Sequence, residues 1–75
     1  MMLELKQFYS DCIPQPTDIV KAMETADREH CFVKLTWKNY DSGGRLQDTY
    51  IKPHDDFDKI CYNIRISTNR NKYLG

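Results

Sequence analysis

Five side chains in this sequence are of types that bind zinc. They are Cys12, His30, Cys31, His54 and Cys61. Structural zinc sites usually place their ligands in pairs a few residues apart, because a short loop can then turn both ligands onto one ion. None of these cysteines has such a partner, and His30 and Cys31 are adjacent at a predicted junction of helix and strand. The spacing therefore predicts ordinary buried thiols, and we expect neither a metal ion nor a cofactor.

The run from His54 to Asp58 is a second candidate site, because it combines an imidazole with three carboxylates. A calcium-binding loop would also need a central glycine and a distal glutamate, and the run has neither. No second acidic cluster is present to build a two-metal site. We therefore interpret this run as a solvated acidic turn that caps a short helix.

Enzymatic activity is not expected. Nucleophilic catalysis needs a thiol or hydroxyl beside a base that a third group orients. Cysteine, histidine and aspartate are present here as they are in most chains of this size, and 75 residues leave little room for a concave substrate pocket. The pair Gly43-Gly44 lies in a predicted hairpin, so it does not lead from a strand into a helix as a phosphate-binding loop does.

A set of basic residues favours nucleic acid as one class of ligand. The set consists of Lys34, Lys38, Arg65 and Arg70. We expect the first three to share the solvent face of a sheet, where lysines contact phosphate and the rings of Phe32 and Tyr40 stack on bases. Eleven basic residues balance eleven acidic ones, so the chain as a whole has no field that attracts a polyanion. Nucleic-acid binding is therefore the alternative hypothesis.

Exposed aromatic residues favour protein as the ligand. Aromatic residues make up 12% of the chain, which is high for a domain that buries so little surface. Some of them must lie at the surface, where aromatic side chains are the usual anchors of interfaces. The candidate protein-binding residues are Tyr40, Tyr50 and Tyr73. The edge of the strand predicted over 45–52 offers a second route, by strand addition.

The sequence thus predicts a small, non-enzymatic protein-interaction module. Its partner is another protein, and a second copy of the chain would be a natural partner for so small a domain. The chain has the size of small accessory proteins carried by phages and mobile elements, which often bind and block a host protein. No signal-peptide pattern or apolar run of about 18 residues occurs, so we expect a soluble, cytoplasmic protein with reduced cysteines.

The elements that position these residues follow from hydrophobic spacing. Met1, Leu5 and Phe8 fall on one helical face, which predicts a short helix over 2–11, and a strand is the competing interpretation. After two prolines, Thr17 is the predicted N-cap of a main helix over 17–30. A period of two begins at Cys31 and predicts a strand, which a hairpin at 41–44 connects to a second strand over 45–52.

The cleanest alternation in the chain predicts the last strand, over 59–67, and residues 68–75 are expected to form a flexible tail. The expected fold is a single α+β domain over 1–75, with a three-stranded antiparallel sheet packed on one main helix and a short N-terminal helix or strand. One sheet face is left uncovered. The predicted core consists of Ile19, Val20, Met23, Val33, Leu35, Trp37, Ile64 and Ile66.

Removal of metal ions tests the interpretation of the cysteines. Thermal unfolding curves recorded with and without a strong chelator should superimpose, because the folded state then contains no metal whose loss would destabilise it. A large fall in melting temperature on chelation would instead show that Cys12, Cys31 or Cys61 is a metal ligand.

Overall fold

The computed structural model describes residues 3–40 and 43–74, and the side chains of 69–74 lie outside that description. The described ranges contain β1 (Leu5–Ser10), α1 (Pro16–Glu29), β2 (Phe32–Asn39), β3 (Arg45–Ile51) and α2 (Phe57–Leu74). The strands form a three-stranded sheet in the order β1-β2-β3, and both helices pack on the same side of it. This is the small two-layer α+β domain that the sequence predicts. Within the described ranges, neither helix is long and apolar enough to cross a membrane.

The N-terminal element is a strand, so the prediction of a helix over 2–11 is wrong. β1 pairs in parallel with β2, from Leu5 opposite Phe32 to Ser10 opposite Trp37. A helix this short is marginal by itself in water, whereas as a strand the segment gains backbone hydrogen bonds from β2 at alternate residues and packs Phe8 against the core. Because α1 carries the chain back across the sheet between the two strands, they run in the same direction. The sheet is therefore mixed rather than purely antiparallel.

The main helix begins one residue before the predicted cap. Pro16 occupies the first helical position, where a missing N–H costs nothing, and the backbone N–H of Gln15 donates to Asp18 Oδ2 at 2.9 Å. Gln15 is therefore the N-cap, and Thr17 lies inside the first turn. The helix ends where His30 takes a left-handed conformation, with φ of 50°, and directs the chain into β2.

The last element is a helix, so the strand predicted over 59–67 is wrong. Its start is fixed by Asp56, whose Oδ1 accepts a hydrogen bond from the backbone N–H of Asp58 at 3.0 Å. Phe57, Ile60 and Ile64 recur at helical spacing and pack on the core.

The strand was predicted because apolar residues occupy every second position from Ile60 to Ile66, but these positions lie on different faces of the helix. Ile60 and Ile64 are buried, but Tyr62 and Ile66 of the same alternating set point to solvent. β-branched isoleucines have a weak preference for strands, which the packing of a long amphipathic helix overrides.

The core lies between one face of β2 and the two helices. Trp37, Leu35 and Val33 are almost completely buried, as are Ile19 and Ile64. These residues confirm most of the predicted core. Met23 is only partly buried, and the prediction was wrong for two members that are 42% exposed, namely Val20 and Ile66. The core also contains residues absent from the prediction, which are Ala22, Ala26, Cys31, Ile51 and Ile60.

Under the later turns of α2 the packing becomes polar. Gln47 Nε2 donates to the carbonyl of Ser67 at 3.3 Å, and Asn39 Nδ2 donates to Gln47 Oε1 at 3.3 Å and to the carbonyl of Thr68 at 3.4 Å. Asn39 and Gln47 are buried side chains of β2 and β3. We call this group the amide seam, and it attaches α2 to the sheet where the apolar core ends.

Replacement of Trp37 tests the assignment of the buried face. Trp37 is completely buried, and its indole N–H has no hydrogen-bond partner among the described residues, so its contribution is packing. Trp37→Ala should lower the free energy of unfolding by about 3–5 kcal/mol, measured by urea titration. The control Tyr62→Ala removes a side chain that is 61% exposed and should change stability little. An unchanged midpoint for Trp37→Ala would mean that the faces are inverted.

Candidate functional site

One side of the sheet is not covered by the helices, and we call it the open face. Successive residues of a strand point to opposite sides, so the residues that alternate with the core positions point to this face. They are Leu5, Gln7 and Tyr9 of β1, Phe32, Lys34, Thr36 and Lys38 of β2, and Leu46, Asp48 and Tyr50 of β3. Half of the open face is therefore formed by large apolar or aromatic side chains.

The apolar side chains of the open face come from all three strands. Leu5 lies directly opposite Phe32, and Tyr50 lies opposite Lys34, one step further along β2. Leu5, Phe32 and Tyr50 are 48%, 38% and 57% exposed and form a cluster at one end of the sheet. Leu46 and Tyr9, 63% and 57% exposed, extend the apolar surface along the two outer strands. A concentration of this kind, unlike scattered apolar residues, typically marks an interaction surface.

The charged groups of the open face partly neutralise each other. Lys34 Nζ lies 3.8 Å from Asp48 Oδ2 and 5.9 Å from the centre of the Tyr50 ring. The ammonium therefore interacts both with a carboxylate and with an aromatic face. Lys38 also points to this side, at the far end of β2. The surface is amphipathic, with an ion pair and a lysine set among exposed apolar groups.

The structure separates the predicted basic set. Lys34 and Lys38 lie on the open face as predicted, but Arg65 lies on α2 in the other layer, because residues 59–67 form a helix. Arg70 also belongs to α2, and its side chain lies outside the described residues. Lys34, Lys38 and Arg65 therefore do not form one continuous patch.

The predicted aromatic set is also distributed over different places. Tyr50 lies on the open face near the end of β3, whereas Tyr40, 66% exposed, follows the end of β2 beside the hairpin. Tyr73 is part of α2, and its side chain is outside the described residues. Sequence reasoning did not identify Leu5, Tyr9 and Leu46 as site residues. A strand interpretation of 5–10 would have placed Leu5 and Tyr9 on one face.

The residues that could have bound a metal are dispersed in the structure: Cys31 is buried as predicted, Cys61 is half-buried, and Cys12 is exposed, so the prediction of a buried thiol is wrong for Cys12. Asp55 Oδ2 accepts from the N–H of Lys52 at 3.2 Å, and Asp27 Oδ1 accepts from the N–H of His54 at 2.6 Å. Within residues 3–40 and 43–74, no three histidine, cysteine or acidic side chains come together as a metal site would require. His54, Asp55 and Asp56 precede α2 and Phe57 and Asp58 begin it, so the acidic run caps a helix as predicted, but a helix of 18 residues rather than a short one.

The pKa shifts occur away from the open face. Lys6 points to the helix side of β1, where its ammonium forms a hydrogen-bonded ion pair with Glu29 at the end of α1. This hydrogen bond raises the pKa of Lys6 and lowers the pKa of Glu29. Each shift favours the charged form, so both groups are ionised between the two pKa values, but the pair is exposed to solvent and contributes little to stability.

Comparison with known protein families, curated protein sequences and solved structures finds no match to this chain.

The exposure of the apolar cluster can be measured with an environment-sensitive dye. The double variant Phe32→Thr, Tyr50→Thr keeps residues that favour strands, so its melting temperature should stay close to that of the wild type. Its binding of a naphthalene-sulfonate dye should fall, because two of the five exposed apolar side chains of the open face are removed. Tyr62→Gln on α2 is the control and should leave dye binding unchanged. Loss of folding in the double variant would show that these rings belong to the core.

Proposed function

We propose that the chain is a non-enzymatic protein-binding module and that the open face is its binding surface. The observation that carries the proposal is the exposure of five large apolar side chains on one side of the sheet. Removing such groups from water is favourable in proportion to the apolar area buried. A partner protein that covers Leu5, Phe32 and Tyr50 would therefore gain free energy that the isolated chain does not obtain.

Protein fits the open face better than nucleic acid does. Leu5 and Leu46 are aliphatic, so they can pack against a protein but offer no ring on which a base could stack. Lys34 already interacts with Asp48, and the carboxylate of Asp48 would repel a phosphate backbone. With Arg65 on the other layer, Lys38 has to provide most of the attraction for a polyanion. One lysine gives weak, salt-sensitive binding.

Nucleic acid remains the second candidate because of one specific observation. Three rings, those of Tyr9, Phe32 and Tyr50, share the open face with Lys34 and Lys38. Aromatic rings and lysines on a sheet are the combination with which many domains bind single strands. A protein and a nucleic acid would contact overlapping residues of the open face. Their binding would respond differently to salt and to the loss of the aliphatic side chains, Leu5 and Leu46.

The dimensions of the open face limit what it can bind. Strands of six to eight residues, spaced about 4.8 Å apart, give a surface roughly 20 Å long and about 15 Å across. This area is well below the roughly 800 Å² that each partner contributes to a stable interface of ordinary size. The open face alone therefore suits a short peptide or a transient contact. The identity of the partner as a host protein, and a cytoplasmic location, stay predictions.

Parallel selections can separate the two candidates. The immobilised protein is exposed to a phage-displayed random peptide library and, separately, to a random pool of single-stranded oligonucleotides. We expect enriched peptides rich in apolar residues, whose binding is lost in Phe32→Thr and Tyr50→Thr and changes little with salt. Each replacement should weaken peptide binding by about tenfold or more.

Two variants serve as controls for these selections. Tyr62→Gln alters an exposed ring on α2 and should keep full peptide binding, whereas Leu46→Lys should weaken peptides but not oligonucleotides. Enrichment of oligonucleotides alone, with binding that falls steeply with salt and is lost in Lys34→Glu, would reject the protein-binding proposal in favour of nucleic acid.

A further inference from the structure

Among residues 3–40 and 43–74, no strand lies beside the outer edge of β1. The backbone N–H of Phe32 donates to the carbonyl of Glu4 at 2.9 Å, so Glu4 directs its carbonyl towards β2. Backbone groups alternate along a strand, so Leu5, Gln7 and Tyr9 direct their N–H and C=O groups away from β2. β1 is the end strand of the sheet, and these groups form a row that another strand can pair with.

A groove runs beside this edge on the helix side. It has a volume of about 370 Å³ and lies between residues 7–10 of β1 and the first turns of α1, with Asp18 and Lys21 on its wall. The helix packs mainly on β2, β3 and α2. β1 is consequently covered less completely, and Phe8 remains only partly buried. An added strand would find space here for the side chains that it directs to the helix side.

We propose that a second copy of the chain occupies this edge. The two β1 strands run antiparallel around a twofold axis that passes between the two Gln7 residues, and the two three-stranded sheets become one continuous sheet. Gln7 then faces Gln7, and Leu5 of each copy faces Tyr9 of the other. This inference does not depend on the protein-binding role of the open face, but the pairing would join two open faces into a single larger one.

The register follows from the residues on the edge. With the axis at Gln7, each of Leu5, Gln7 and Tyr9 can exchange both backbone hydrogen bonds with its counterpart. Leu5 and Tyr9 form a cross-strand apolar pair on the open face, and the central amides are uncharged and can bond to each other. On the helix side, Glu4 of one copy falls opposite Ser10 of the other, on the side where Lys21 lines the groove. Asp18 lines the same groove, so the wall carries one charge of each sign, and the register rests on the backbone pairing and the contact of Leu5 with Tyr9 rather than on charge.

The other edge of the sheet is less suited to the same pairing. Since Phe32 bonds to β1, the alternate residue Val33 bonds to its partner Ile51 on β3. The residues of β3 that direct backbone groups outward are therefore Leu46, Asp48 and Tyr50. A twofold axis at the centre of this row would place two Asp48 carboxylates opposite each other, which is destabilising. The comparison favours β1 as the interface.

An inward-pointing lysine on an edge strand normally discourages pairing, because its charge would be buried. On β1 that residue is Lys6, and its ammonium is already paired with Glu29 of the same chain. The ion pair holds the charge towards the end of α1, away from the row formed by Leu5, Gln7 and Tyr9. In the proposed register Lys6 lies opposite Phe8 of the second copy, so the ion pair with Glu29 has to stay intact when the strands pair.

Sedimentation equilibrium of the full chain tests the dimer. We expect a mass of twice the 8.9 kDa chain at high micromolar concentration. Gln7→Pro removes one outward N–H, a position where an edge strand tolerates proline, and should raise the dissociation constant by about tenfold or more. Thr36→Glu is the control: it alters the centre of the open face but not the β1 edge, and it should remain dimeric.

Opposite results would overturn the proposal. A wild-type protein that is monomeric would exclude pairing through β1. A dimer that survives Gln7→Pro but is lost in Thr36→Glu would also exclude it, and would mean that the open faces contact each other. If Gln7→Pro does not fold, Gln7→Glu replaces it, because two carboxylates at the axis repel only in the dimer.

A mixed sample of labelled and unlabelled protein gives a direct test of the register. Leu5 and Tyr9 of one strand are about 13 Å apart and give no nuclear Overhauser effect within one chain. In the proposed dimer they are opposite neighbours, about 5.5 Å apart at Cα, so an isotope-filtered cross-peak between them is expected. Its absence from a sample shown to be dimeric would reject this register. Peptide selection by a monomeric variant would test the open face separately.

Discussion

The burial of one side of β2 against both helices is the interaction on which the other features depend. Val33, Leu35 and Trp37 lie in the middle strand of the sheet, with β1 and β3 at their sides and the helices above them. The described ranges contain two helices, and both lie on the same side of the three-stranded sheet. In this part of the chain, the side chains that the strands direct to the other side are not covered by a helix.

The composition of that uncovered side is informative for the same reason. A sheet with one solvated face normally directs polar residues outward, which gives a clear alternation of apolar and polar positions. β2 follows this rule with Lys34, Thr36 and Lys38, but Leu5, Leu46 and Tyr50 on the neighbouring strands depart from it. Such departures cost solubility without strengthening the core. The binding role that we propose would account for them.

The sequence predicted the elements whose local signals agree with their packing. Helix α1 has a cap, an amphipathic pattern and a clear end, and β2 has an unambiguous period of two. β1 and α2 were predicted wrongly because their local signals conflict with their packing. β1 depends on a partner strand that is 27 residues away, as in the pairing of Leu5 with Phe32. In α2, Ile64 and Ile66 are two residues apart, which resembles the alternation of a strand, although they lie on different faces of the helix. Lys34, Lys38 and Tyr50 could be placed in the site from β2 and β3 alone. Leu5 and Tyr9 could not, because their position requires the parallel pairing.

The amide seam beneath α2 has a consequence for how the helix is positioned. Apolar side chains tolerate small displacements along a helix axis, since dispersion contacts are not directional. The bonds from Asn39 and Gln47 to the carbonyls of Thr68 and Ser67 are directional, and a shift of α2 by a single residue would break both of them. The amide seam therefore determines the position of α2 along its own axis, and this positional effect is more important than its contribution to the attachment of the helix.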